Sequence, residues 1–182
     1  MTEFDSFATQ LLEESKALLD KAKSSETFTQ TTYLHSSLLL AISALEACIN
    51  SIIDELLVEP YLNEYSIQEQ ALLLEKEVKF DRGEFSLSSK LKVTRMTDRI
   101  EFLFFKFAGN KIDGSLNWYA NLKQSIELRN KLVHPKENLN ITTAQVEQAI
   151  LSVVETINEI YLAVYQKKYP SYDRGFFAKN TL

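Results

Sequence analysis

The sequence predicts an all-α fold: an antiparallel helical bundle of about four core helices with an additional helical insertion. Three observations predict it. Only four glycines and three prolines interrupt 182 residues, well below their usual combined frequency. The segments between them are of helical length and carry apolar residues at three- and four-residue spacing. A composition of 45% hydrophobic and 25% charged residues is that of a chain able to bury one core.

Taken in order, Phe4, Phe7, Leu11, Leu18 and Ala22 give a first helix, interrupted by Ser15 and ending near Ser24 and Ser25. A second runs from Thr27 to Leu57 on Leu34, Leu38, Ile42, Leu45, Ile49, Ile52 and Leu56, stopping before Pro60, which cannot continue it. Ser66 to Phe80 reads as a weaker third helix and Asp81 to Ser89 as a loop. Leu91 to Ala108 is a fourth helix carrying Phe102, Leu103, Phe104, Phe105 and Phe107, and Leu116 to Val133 a fifth. Thr142 to Lys168 is a sixth, with the stripe Val146, Ile150, Val153, Ile157, Ile160 and Val164. The first, second, fifth and sixth helices are expected to pack side by side, with the third and fourth decorating them. The division is thus one domain over 1–182, an insertion over 60–115 and a C-terminal tail over 170–182.

The start of the chain, MTEFDSFATQLLEES, carries acids where a secretory signal needs bases, and no apolar run reads as long enough to cross a bilayer. The one cysteine, Cys48, lies in an apolar segment and reads as a small core residue of a reducing compartment. The expectation is a cytoplasmic protein with no membrane partner. The net charge is −5, but residues 1–80 hold 5 basic against 14 acidic side chains, and residues 81–182 hold 15 against 11. The second part can therefore meet an anion. Lys90, Lys92 and Arg95 form its most basic stretch and are the candidate RNA contacts; the alternative is a solvated loop. The tail residues Tyr172, Arg174, Phe176, Phe177 and Lys179 can stack and pair with RNA or dock on the core.

The most informative residues run from Arg129 to Pro135, RNKLVHP. Three residues on from Ile126 and four before Val133, Arg129 puts a guanidinium on a face that should be packed. It must find an acidic partner, reach solvent along its stem, or meet an arriving anion. Pro135 disfavours helix in the residue before it, so the helix should stop near Val133 with His134 at its carboxyl end, where the dipole favours imidazolium. Asn130, four residues earlier, is placed to orient the ring. His134 then reads either as a proton-transfer group or as a helix cap. On the second helix His35 and Glu46 nearly eclipse and Asn50 lies about 60° away, a polar strip open to three readings: a core network, support for His134, or a second acid–base group. No cluster at metal-ligand spacing, glycine-rich phosphate loop or nucleophile elbow is present. No cofactor is called for.

RNKLVHP resembles the R-x4-6-H motif of the HEPN superfamily, and ALEACINSII, Ala44 to Ile53, is similar to the second-helix region of many of its members. The resemblance implies a compact helical bundle acting as a homodimer and a metal-independent ribonuclease of the kind found among toxins and defence proteins. It implies roles for Arg129 on the scissile phosphate, His134 in proton transfer and Asn130 in support of the histidine. An antitoxin or other protein partner is implied with it. The overall acidity departs from what most nucleic-acid enzymes exploit. The alternative implied function is a non-catalytic HEPN-like module that binds a nucleotide or a protein.

Overall fold

The structure is a computed structural model describing residues 3–58 and 61–172, with side chains described from Phe7 onward. The side chain of Phe4, together with Pro60, Arg174, Gly175, Phe176, Phe177 and Lys179, lies outside the described residues. Six helices and one two-stranded sheet follow in order. They are α1 (Glu3–Lys23), α2 (Thr27–Leu56), a 3-10 turn (Tyr61–Glu64), α3 (Ile67–Leu73), β1 (Lys76–Asp81), β2 (Glu84–Leu91), α4 (Met96–Ala108), α5 (Asn117–Val133) and α6 (Thr143–Tyr165).

The stripes of α2 and α6 form the centre. Leu34, Leu38, Ile42, Leu45, Ile49 and Ile52 are buried, as are Val146, Ile150, Val153, Ile157 and Ile160. In α1 the stripe is rotated from the expected one. Ala8, Leu12, Ser15, Leu19 and Ala22 are buried, whereas Phe7 is half exposed. The reason is size: Ala8, Ser15 and Ala22 recur every seven residues and let α1 approach α2 closely, which bulky side chains would prevent. Ser15 therefore belongs to the contact instead of interrupting it. Its hydroxyl donates to the Ser37 carbonyl at 2.8 Å, and the Ser37 hydroxyl donates back to the Ser15 carbonyl at 2.7 Å. Both hydroxyls are thus satisfied in a fully buried contact.

The insertion differs most from expectation. The third helix ends at Leu73, and the chain continues as an antiparallel hairpin in which Val78 pairs with Leu87 and Phe80 with Phe85. Arg82 and Gly83, at φ 50° and 94°, make its two-residue turn. That left-handed pair matches the twist of the flanking strands. The all-α reading is therefore correct for the helices and wrong for residues 76–91. Alternation at every second residue, Val78 and Phe80 on one strand and Phe85 and Leu87 on the other, is a strand pattern that neither a helix to Phe80 nor a loop over Asp81 to Ser89 accounts for. Nor is α4 decoration. Ile100 and Leu103 are fully buried in the core, and α4 packs on α6 and α2.

Cross-contacts fix which residues share an end of the molecule. Lys23 pairs with Glu147 at 3.6 Å and Gln30 donates to the Ala22 carbonyl, so the α1–α2 turn lies beside the start of α6. The Tyr165 hydroxyl donates to Glu55 at 2.6 Å, so the carboxyl ends of α2 and α6 are together. At that second end Tyr169 and Ser171 are buried, and the Tyr169 N–H donates to Asn158. By length and composition α2 is apolar enough to cross a membrane, contrary to the expectation for any run of this chain, and 61% of its apolar window is buried inside the fold.

Candidate functional site

Helix α5 ends at Val133, and His134 is its C-cap, with φ −124° and its backbone N–H donating to the Asn130 carbonyl at 2.9 Å. Pro135 ends the helix for the reason given by its ring. The His134 side chain is exposed. With Asn130 it lines an open hollow of about 340 Å³ walled by Glu127, Lys131, Lys136, Glu137 and Leu139. Residues 127, 130, 131 and 134 share one helical face, which is why they converge. Glu127 and Lys131 pair at 2.9 Å. The hydrogen bond and charge of Lys131 hold the Glu127 carboxyl below its ordinary value, and the same contact raises the lysine.

Arg129 is half-buried on α5 and does not line this hollow. Five residues at 100° each set it about 140° from His134. Its Nε is buried without a hydrogen-bond partner. A cation is thus held against the protein with part of its donor capacity unused, beside a face that carries the histidine but turned from it.

The strip expected on α2 divides in two. His35, Glu46 and Asn50 share a side of the helix, but 15 residues from His35 to Asn50 span about 22 Å along its axis. Shared angle is not adjacency. Half-buried His35 lies in the first turns of α2, at the α6-start end, and its Nε2 is buried without a hydrogen-bond partner. Exposed Glu46 and Asn50 lie in the carboxyl half of α2, remote from His134. There Asn50 accepts from the Arg99 guanidinium at 2.5 Å. Support of His134 by Glu46 and Asn50 is therefore not what the geometry provides.

Arg99 was missed by sequence reasoning. Only 4% exposed, it reaches Glu75 at 3.6 Å in addition to Asn50. Burial lowers its pKa, and the charges of Glu75, Glu46 and Asp54 oppose that shift. Glu75 has a left-handed backbone, φ 52°, where α3 gives way to β1. Its carboxylate accepts from the Thr94 N–H at 3.2 Å and its carbonyl from the Lys92 N–H at 2.8 Å. This cluster ties the base of the hairpin to α2. The signal was available, since Arg99 stands four residues before buried Leu103.

Lys90 on β2, Lys92 and Arg95, the N-cap of α4, are all exposed. Lys92 and Arg95 join Lys76 around an open hollow of about 700 Å³ also lined by Ala71, Leu72, Val78 and Val93. They are anchored through Arg99 to the carboxyl half of α2, and so stand apart from His134. Cys48 is buried. Among the described residues no group of three or more His, Cys, Asp or Glu side chains is placed to hold a metal ion. Comparison with protein-family models, with curated proteins and with solved structures finds no match to this chain.

Proposed function

We propose that the protein is a HEPN-type endoribonuclease that cuts RNA as a cytoplasmic homodimer without a metal, on an antiparallel bundle formed by α1, α2, α5 and α6. The observation that carries the reading is the pair at the end of α5: Arg129 with a buried, unpartnered Nε, and His134 exposed in a hollow with Asn130. Because Arg129 turns away from its own histidine, the site is completed by a second copy. Two α5 ends brought together across a two-fold axis set the arginine of one copy against the histidine of the other. Phe28, 88% exposed on the first turn of α2, and half-exposed Val133 lie at this end and supply apolar surface for the contact.

The chemistry then divides among few groups. One imidazole takes the proton of the RNA 2′-hydroxyl as its oxygen attacks phosphorus. The P–O5′ bond breaks, the second imidazole, as imidazolium, protonates the departing 5′-oxygen, and Arg129 holds the charge of the phosphorane. The products are a 2′,3′-cyclic phosphate and a 5′-hydroxyl. A toxin or defence effector restrained by a protein partner is the role this activity fits.

Purified protein is expected to cleave RNA in the presence of a chelator and to scatter light as twice 20.9 kDa. His134→Ala and Arg129→Ala should each cut turnover by about 10²-fold or more with the fold retained. Arg129→Lys should fail as well, since it keeps charge but loses the planar fork. Monomer mass together with absent cleavage sinks the reading. A second reading, a non-catalytic HEPN-like nucleotide-binding or protein-interaction module, is favoured by the separation of Arg129 from the His134 hollow. It predicts that Arg129→Ala dissociates the dimer or lowers the melting temperature while no wild-type cleavage is found.

A further inference from the structure

The hairpin carries an uncovered apolar face. Paired strand residues point to one side, so the register places Val78 and Phe80 of β1 with Phe85 and Leu87 of β2, and beyond a β-bulge pairs Lys76 with Leu91. Phe80 is 64% exposed, Phe85 61% and Leu91 77%, and Val93 just beyond the strand is 94% exposed. The opposite face holds Glu77, Lys79, Asp81, Glu84 and Ser86, which include all three acids of residues 76–95. The six cations of that stretch, Lys76, Lys79, Arg82, Lys90, Lys92 and Arg95, are distributed otherwise. Neighbours along a strand point opposite ways, so Lys79 and Lys90 both lie on the side of the acids. Lys76 is paired with Leu91, Arg82 forms the turn, and Lys92 and Arg95 follow the strand. In a protein of net charge −5, residues 76–95 thus carry six cations against three acids, on an arm that bears exposed apolar side chains and packs principally on α3.

We infer that this arm docks on an anionic lipid surface, with Phe80, Phe85 and Leu91 entering the boundary between headgroups and acyl chains. Size and chemistry select that occupant. Six residues by two strands give a face of about 20 Å by 10 Å, roughly 200 Å², against the ~800 Å² per partner of a stable protein interface. A second copy meeting it face to face would therefore be held too weakly. Single-stranded RNA would stack on Phe80 and Phe85 but has no use for Val78, Leu87, Leu91 and Val93, which offer no aromatic face. A bilayer boundary accepts aliphatic and aromatic side chains alike, and anionic headgroups attract the net positive charge of the arm. The absence of a membrane partner expected from the sequence rested on segments long enough to span. An arm lying at the interface needs no such segment.

Arg129, Asn130 and His134 are not part of the arm, so this inference stands or falls apart from the ribonuclease reading. Flotation of the full chain with phosphatidylcholine vesicles, with or without phosphatidylglycerol, tests it. Binding about tenfold stronger to the anionic vesicles and weakened by salt is expected. Phe80→Ser with Phe85→Ser should abolish it, with helical circular dichroism unchanged. Leu91→Glu, at the base of the hairpin, gives a second reading if the double variant misfolds. Wild-type protein that floats with neither vesicle overturns the inference, as does undiminished binding by the variants. Loss of oligouridylate binding or of self-association in the variants, without vesicle binding by the wild type, would instead assign the face to RNA or to a second copy.

Discussion

Arg99 and Arg129 both place a guanidinium on an apolar helical face, and their surroundings differ. The Nε of each is buried without a partner, but the terminal nitrogens of Arg99 meet Asn50 and Glu75. Periodicity made Arg129 legible in the sequence, because its neighbours Ile126 and Val133 define a simple stripe. Arg99 was obscured by the crowd of phenylalanines after it, and its partners come from two other elements, which no local pattern reveals. The asymmetry of the Arg99 cluster gives a prediction. Removing the cation frees Glu75, which reaches solvent, while removing Glu75 leaves a 4% exposed charge without its carboxylate. Glu75→Ala should therefore cost about 2–3 kcal/mol and Arg99→Met distinctly less. Urea denaturation of both variants checks the order, and the reverse order would show that the ion pair is not what holds the hairpin base.

At the scale of elements, the long helices were readable because burial on one side leaves a three-and-four pattern over many turns. That held for α2 and α6, whose predicted stripes are almost entirely buried. It failed by one residue in α1, where the contact selects small side chains, and composition-weighted patterns favour large ones. The hairpin was hidden because charged residues between its apolar positions, as in Glu75 to Phe80, also suit an exposed helix. The decisive mark was the turn. Gly83 has open space around the position of a Cβ, yet its φ of 94° strains any other residue. Gly83→Val should weaken the hairpin by about 1–2 kcal/mol, seen as faster amide exchange in β1 and β2 with α2 and α6 unaffected. If the whole molecule loses protection by the same amount, the hairpin belongs to the cooperative core and the reading of it as an arm is wrong.

For the whole molecule, the two ends differ in kind. One gathers His35, Arg129 and His134, and the other gathers Asn50, Glu75, Arg99 and the arm. The sequence named the first group and left support of His134 as one of three roles for His35, Glu46 and Asn50; the axial distance that sets Glu46 and Asn50 apart is lost in an angular projection. Stability of the whole should respond to two carboxylates in opposite ways. Burial raises Glu155, and Glu159 one turn away raises it further. Its folded form therefore favours the proton, and stability declines as pH climbs from the ordinary value of 4.5 through the folded one. Burial also raises Glu69, but the Ser66 N–H, the Lys106 bond, the Ser66 hydroxyl and the Lys106 charge together outweigh it and lower the group. Its contribution is present above 4.5 and fades as pH falls through the folded value. Glu155→Gln is accordingly expected to raise the melting temperature at pH 7 and to lose that advantage in acid, while Glu69→Gln should lower it at pH 7 and converge with wild type in acid. Melting curves across pH for the two variants test the signs, and parallel profiles would refute both assignments.

The single bond from the Lys92 N–H to the Glu75 carbonyl also says something about the chain as a thread. It leaves the helical body at residue 75 and returns beside its own departure, so whatever lies between is a cassette. Closing a loop whose length doubles costs only about 0.6 kcal/mol more. Arms of other lengths, or other small hairpins, can therefore be grafted between Glu75 and Lys92 without changing the register of α4 or the seat of Arg99.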